Sequence, residues 1–516
     1  MTSSSPIARN TLFNLVGQVL PLLVGIAAIP VTVRALGDAR FGLLGLIWAV
    51  LGYFGVFDLG LGRATTRFAS QYLASGNMVE LRRVVTLSIL AQTVLGCVGG
   101  VVLVSLTPVL VGRVLHVPPA LQSEARSAFL LLAASIPFVV LSLSLRAILE
   151  AAQRFDVVNL LRVPTSIAVF VVPALAARLG AGLPVIVLLL LVVRAGACWI
   201  TAVFVPRVLP GFRWELRSGW SRFRPLLGYG GWVTVSNVVS PLLVYLERFV
   251  LGSLVGLRAV AYYTAPYEAL TKLLVVPVAL TTALFPALSL SGERDRPQIE
   301  RLVVRSLRFI LLGLAVPVGL LIAFSRDLVG LWLGPAYAAE SPVVVQVLAF
   351  GVLMNGLAQV PSVYLLGQAR PDLPAKFHLL ELPLYFAAAW LLVGGLAVSG
   401  AAAAWTGRVS VDALLLGTAM SRVAGLAPGE LLGQRGGRAL AAVGVLLAVM
   451  LGLALGAAGL TLATRVAVAA GTALAFGTFV WRQVFDDQER RSLLAVTPLS
   501  SRSASRPSPG AFSPPP

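Results

Sequence analysis

The sequence predicts an all-α polytopic membrane protein of about fourteen transmembrane helices, with both termini on the cytoplasmic side. Three observations predict it. Apolar stretches of about 18–25 residues recur from end to end, each long enough to cross a hydrocarbon core of about 30 Å as a helix. Of 516 residues, 58% are hydrophobic and 12% charged, and mean hydropathy is +0.90; a soluble domain carries about 25% charged residues. Lysine and arginine, finally, are concentrated in alternate links between the stretches.

In order, the segments fall roughly at 11–33, 41–62, 84–112, 127–149, 158–177, 183–205, 228–252, 261–289, 305–325, 343–366, 376–396, 401–418, 439–459 and 463–482. The first follows MTSSSPIARN with no short apolar core and small-residue cleavage site, so it reads as a retained helix. The twelfth is interrupted by Arg408 and Asp412. Pro21, Pro137, Pro173, Pro241, Pro277 and Pro317 lie inside segments, where neighbouring helices or water must satisfy the carbonyls they free. After Phe485 the chain turns polar and ends in SSRSASRPSPGAFSPPP, a composition that predicts a disordered cytoplasmic tail over 485–516.

Orientation follows from the links. With the N-terminus inside, about 28 Lys and Arg fall on inner links and about 8 on outer ones. The net charge of +19 is thereby explained as topology and contact with anionic lipid, with no nucleic acid involved. Cys97 and Cys198 sit inside apolar segments, and His116 and His378 have no Cys, His or Glu pattern around them, so no metal site or disulfide framework is expected. No G-x-x-x-x-G-K-[ST] occurs, which excludes a P-loop, and no cofactor is expected.

The chain echoes itself. Pro21-Leu-Leu-Val matches Pro241-Leu-Leu-Val, each about sixteen residues before a turn containing Gly37 or Gly256. Leu149-Glu-Ala-Ala-Gln-Arg-Phe-Asp156 matches Leu365-Leu-Gly-Gln-Ala-Arg-Pro-Asp372, pairing Arg154 with Arg370 and Asp156 with Asp372. Both offsets are about 220 residues, which predicts two pseudo-symmetric six-helix lobes around a central cavity. The expected divisions are 1–225 for the first lobe with its linker, 226–425 for the second, and 426–484 for two appended helices.

Four runs point to a family: FDLGLGRATTRFA (Phe57 to Ala69), LEAAQRFDVVN (Leu149 to Asn159), LFPALS (Leu284 to Ser289) and GQARPDLPAKFHLLELPLY (Gly367 to Tyr385). In this order the chain resembles the polysaccharide transporters, the O-antigen and exopolysaccharide flippases, over roughly residues 10–480. Their superfamily includes the multidrug and toxin extrusion transporters and the lipid II flippases. The resemblance implies alternating-access export of a lipid-linked oligosaccharide, typically on undecaprenyl pyrophosphate, across the bacterial cytoplasmic membrane, and no enzymatic step. It also implies a polysaccharide polymerase and glycosyltransferases as partners. Where that family often carries an aspartate near the end of helix seven, this chain has Glu247 followed by Arg248.

Charges inside apolar segments are the candidate site residues, because each costs roughly 2.5–3.5 kcal/mol at the bilayer centre and so faces protein or water. Arg194 has no acidic neighbour at helical spacing and is the first candidate for a cation lining the cavity. Arg248, Lys272 and Arg408 are the others; a surplus of such cations suits a pyrophosphate. Each has a plain alternative. Arg248 can snorkel to the surface, Lys272 follows Glu268 by four residues, and Arg408 precedes Asp412 by four. Asp58, within reach of Arg63, reads as a helix-end carboxylate or as part of a gate ion pair that can include Arg67, and Glu247 as a carrier of a coupling proton. Rival readings are a multidrug antiporter, in which acids should dominate the cavity, a membrane polymerase or glycosyltransferase, and a scaffold that transports nothing.

Overall fold

A computed structural model describes residues 6–54, 61–208, 231–290, 296–368, 370–425, 428–456, 459–487 and 489–491. Helix is the only regular structure among them. The first half contains α1 (Pro6–Leu36), α2 (Asp38–Tyr53), α3 (Leu61–Ala74), α4 (Met78–Val109), α5 (Pro119–Ala151), α6 (Phe155–Arg178) and α7 (Leu183–Val208). The second contains α8 (Gly231–Leu254), α9 (Leu257–Leu270), α10 (Val275–Leu290), α11 (Arg296–Ala323), the short α12 (Ser325–Leu333) and α13 (Pro335–Glu340), α14 (Pro342–Gly367) and α15 (Asp372–Ala424). Two further helices follow, α16 (Pro428–Leu455) and α17 (Leu462–Phe479). Every expected apolar segment overlaps a described helix, and nine described helices are long and apolar enough to cross a bilayer. Their outward faces carry large apolar side chains such as Leu391, Leu455 and Leu474, each more than 70% exposed. That is a lipid-facing surface, which water would not tolerate at this extent.

Three details depart from the sequence reading and one locates an expected break. Helix continues past the expected end of the second segment at 62, with Leu61–Ala74 helical and packed on α4 and α5. There Thr65 Oγ1 lies 2.7 Å from Ser88 Oγ, and Thr66 donates to the Ala147 carbonyl at 3.3 Å. The eighth segment is split by a 3-10 turn at Thr271–Leu274. Pro277 lacks the N–H that would bond the Leu273 carbonyl, so the turn tightens just before it. The expected break between segments eleven and twelve falls at Ala397, whose backbone (φ 50, ψ −122) interrupts an otherwise helical run. Gly400 sits at that reversal because a side chain there would strike the Leu392 carbonyl. Last, the expected tail does not start at 485: Glu489 is buried and paired with Arg308, with Arg305 at 3.6 Å, while 492–516 lie outside the described residues.

The internal echo has a structural counterpart. After α5, the Ala152 amide donates to the Ile148 carbonyl and the Arg154 amide to that of Leu149. After α14, the Gln368 amide donates to Tyr364 and the Arg370 amide to Leu365. Arg154 then grips Asp156 at 2.9 and 2.8 Å, as Arg370 grips Asp372 at 3.0 and 3.3 Å. One offset relates each of these contacts in the first loop to its counterpart in the second. At the opposite end, α1 meets α2 at Gly37 (φ 74) and α8 meets α9 at Gly256 (φ 116), backbone angles that glycine alone adopts without strain.

Candidate functional site between the halves

The halves meet along α2 of the first and α8 and α9 of the second. The approach is close because α2 presents glycine to the seam. A methyl added at Gly42 would overlap the Leu257 carbonyl, one at Gly52 would overlap the Tyr245 ring, and one at Gly45 would lie 2.9 Å from the Thr264 side chain. Polar and aromatic contacts follow the same line. Tyr262 donates to Asp38 at 3.0 Å, and the Tyr53 ring stands 5.7 Å from those of Tyr245 and Phe249. The seam thus starts beside the Gly37 and Gly256 turns. It reaches Tyr53, about 22 Å along α2 at 1.5 Å per residue.

A buried charge network lies on this seam. Glu247 and Arg248 are adjacent on α8 and therefore point about 100° apart. Both are fully buried. Arg248 donates to Glu268 at 2.9 Å and reaches the Gly45 carbonyl of the other half at 3.5 Å. Its guanidinium stacks over Tyr267 and Tyr245, at 4.7 and 5.1 Å from the ring centres. Lys272 shares Glu268 at 3.5 Å and lies 5.7 Å from the Phe170 ring centre of the first half. Glu247 accepts from Tyr385 at 2.6 Å and from Tyr263 at 3.0 Å. Behind it, Arg408 lies 3.7 Å from Glu381 and 5.8 Å from the centre of the Tyr385 ring, while His378 lies 4.0 Å from Asp412. Tyr385 therefore joins the two groups.

The sequence paired these residues only in part. The Glu268–Lys272 pair forms as its spacing implied. Arg248 does not snorkel, because Glu268 and two tyrosine faces hold it inside the seam. Arg408 turns from Asp412 to Glu381, which α15 brings back beside it after the reversal at Ala397. Asp58 and the Arg63 and Arg67 side chains lie outside the described residues. The expected surplus of cations is not in this network, where Arg248, Lys272 and Arg408 meet four carboxylates, Glu247, Glu268, Glu381 and Asp412.

Arg194 is not at the seam. Val185, Leu188, Val192 and Trp199 occupy the exposed face of α7, which turns Arg194 inward, toward α5 and α6. It lines a cavity of about 260 Å³ together with Arg146 and Arg162.

This architecture has counterparts of known kind. The family described as "Polysaccharide biosynthesis protein" matches residues 7–291, more than half of the chain. A protein of Shigella flexneri named "Putative O-antigen transporter" is 31% identical over 414 residues, covering 80% of this chain and 96% of the relative. The chain belongs to this polysaccharide biosynthesis family. Its fold is that of the MOP-superfamily transporters. The inward closed lipid II flippase MurJ superposes with a TM-score of 0.68 at 14% identity, over 91% of this chain and 99% of that one. An inward-facing MATE multidrug transporter gives 0.66 at 16% identity, over 80% and 98%.

Within this polysaccharide biosynthesis protein, sequence reasoning missed Glu381, His378 and Tyr385 as members of the network. Glu381 carried a signal, since a carboxylate inside the apolar segment 376–396 is as costly as the cations singled out. Tyr385 carried none, because its role arises only where α8, α9 and α15 converge.

Proposed function

We propose that this chain is a flippase that moves a lipid-linked oligosaccharide, carried on undecaprenyl pyrophosphate, across the bacterial cytoplasmic membrane for cell-surface polysaccharide assembly. The two halves rock about the seam, and the network of Arg248, Glu268, Lys272 and Glu247 is remade as they separate. Lys272, more than a third exposed and set between the halves, is the cation of that network best placed to meet an anionic headgroup. The observation that carries this reading is the glycine-lined contact of α2 with α9, closed over charged groups that would be costly to bury without a second, solvated arrangement. With the N-terminus inside, the closed end is the outer one. The family and the Shigella relative support the substrate class. Glycosyltransferases would supply the substrate and a polymerase would consume it.

With the cell interior negative, outward movement of an anion is downhill by about 2.3 kcal/mol per charge per 100 mV. Sealed vesicles loaded with the lipid-linked oligosaccharide test both claims. Flipping should require this chain and slow when potential and ion gradients are collapsed; equal flipping without the chain would refute the assignment. A second reading, a cation antiporter, draws on the four carboxylates of the network. It requires that the chain export an organic cation such as ethidium, which the flippase reading does not.

A further inference from the structure

We propose that the half-open cavity lined by α5, α6 and α7 is a binding site for a phosphate or pyrophosphate ester, held by Arg194 within and by Arg146 and Arg162 nearer the loop end. The inference does not rest on the flippase reading and concerns a different place in the fold. Its basis is a comparison among cations inside the described helices. Arg248 and Lys272 have Glu268, Arg408 has Glu381, and Arg465 has Asp327 at 2.9 Å. Arg194 alone among these has no carboxylate, and its Nη1 is buried without a hydrogen-bond partner. A guanidinium nitrogen withdrawn from water and left unmatched is unfavourable, so an anion that reaches it gains what the fold leaves unsatisfied.

The surroundings specify the anion. No acidic residue lines the cavity among the described residues. The nearest described partner of its arginines, Glu150, lies 3.6 Å from Arg146, and both are about 40% exposed. Ser142, Thr165 and Thr201 also line it but spend their hydroxyl protons on their own helices, at 2.6–2.8 Å. The arginines and the Ser166 hydroxyl are therefore the lining donors that remain, and guanidinium forks match phosphate oxygens. Arg162 and Arg146 stand within about 11 Å of the loop joining α5 to α6, and Arg194 near the middle of α7, so the slot runs from headgroup depth inward. Its 260 Å³ falls below the roughly 300–1,000 Å³ of drug-sized sites, room for a headgroup phosphate and not for a glycan.

The test uses the full chain in phosphatidylcholine nanodiscs. One arm titrates inorganic pyrophosphate and the other adds phosphatidylglycerol, with binding read by thermal shift and by displacement. Saturable pyrophosphate binding, weakened about tenfold or more by Arg194→Gln and less by Arg162→Gln, is the expected result. Displacement by phosphatidylglycerol identifies a lipid headgroup as the natural source, and its absence identifies a lipid-linked or soluble pyrophosphate. Arg162→Gln, nearer the mouth, keeps the test intact should Arg194→Gln fail to fold. Binding that ignores both substitutions but is lost in Lys272→Gln would place the anion at the seam and overturn the proposal. So would no saturable binding in either arm, which would leave Arg194 matched by water.

Discussion

The indole of Trp332 donates a hydrogen bond to the carbonyl oxygen of Ile26 at 2.7 Å. That carbonyl is free because Pro30, four residues on, has no N–H to give it. A donor from α12 of the second half thus satisfies a proline-opened turn of the first. The same device recurs at Pro266, which frees the Tyr262 carbonyl for the Ser341 hydroxyl at 2.9 Å. In a bilayer, where water cannot fill such a gap, the pairing of proline with a distant donor fixes where elements dock. Trp332→Phe should cost about 1 kcal/mol of stability in the wild type and almost nothing in Pro30→Ala, where the helix supplies its own donor. Equal losses in both backgrounds, measured by thermal unfolding in detergent, would disprove the role.

Gly42 is predicted to be intolerant of a single methyl group. In Gly42→Ala the new carbon meets the Leu257 backbone, which cannot move aside as a flexible side chain would. The seam should be held open and transport should fall at least about tenfold, with insertion and expression preserved. Gly444→Ala, where nothing lies within 4 Å, is the matched control and should transport normally.

Arg248 and Glu268 should show strong coupling. Arg248→Met leaves Glu268 with Lys272 alone and is expected to destabilise the fold by about 3 kcal/mol. Adding Glu268→Gln should recover much of that loss, because the stranded charge is gone. A double-mutant cycle by thermal unfolding reads the coupling directly, and additive losses would show that the two side chains do not act as a pair.

The segment after α17 should loosen in acid. The Glu489 amide donates to Asp486 at 2.7 Å and Arg435 stands 3.1 Å away, which together hold the Asp486 carboxyl below the usual aspartate range. A carboxylate whose folded pKa is lowered contributes above its unfolded pKa and loses that contribution as pH falls through the folded one. Hydrogen exchange over 486–491 should therefore be slow at neutral pH and rise only as pH falls below the usual aspartate range, through the lowered folded-state pKa of Asp486. Asp486→Asn should remove the pH dependence and leave the segment loose at neutrality. Protection that does not change with pH would count against the anchor.

Much of the fold was legible because it is written locally. Apolar run length placed the helices, and the echo of Arg154 and Asp156 in Arg370 and Asp372 marked two loops that share one hydrogen-bond pattern. The Glu268–Lys272 pair was legible for the same reason, since both lie on one helical path. The partner of Arg408 was not. Spacing offered Asp412, and the choice of Glu381 depends on how segments eleven and twelve register against each other after the turn at Ala397, which run length locates but does not align. Arg194 shows the same limit: its isolation in sequence was visible, but Arg146 and Arg162 come to it on two other helices.

The most direct test of the two rocking halves is a reversible cross-link across the closed end of the seam. In a background with Cys97 and Cys198 replaced by alanine, Asp38→Cys and Tyr262→Cys place one thiol on each half, at positions in hydrogen-bond contact. Joining them with a short thiol-cleavable linker in sealed vesicles should stop oligosaccharide flipping, and reduction should restore it. Undiminished flipping with the linker in place would show that the halves need not part there.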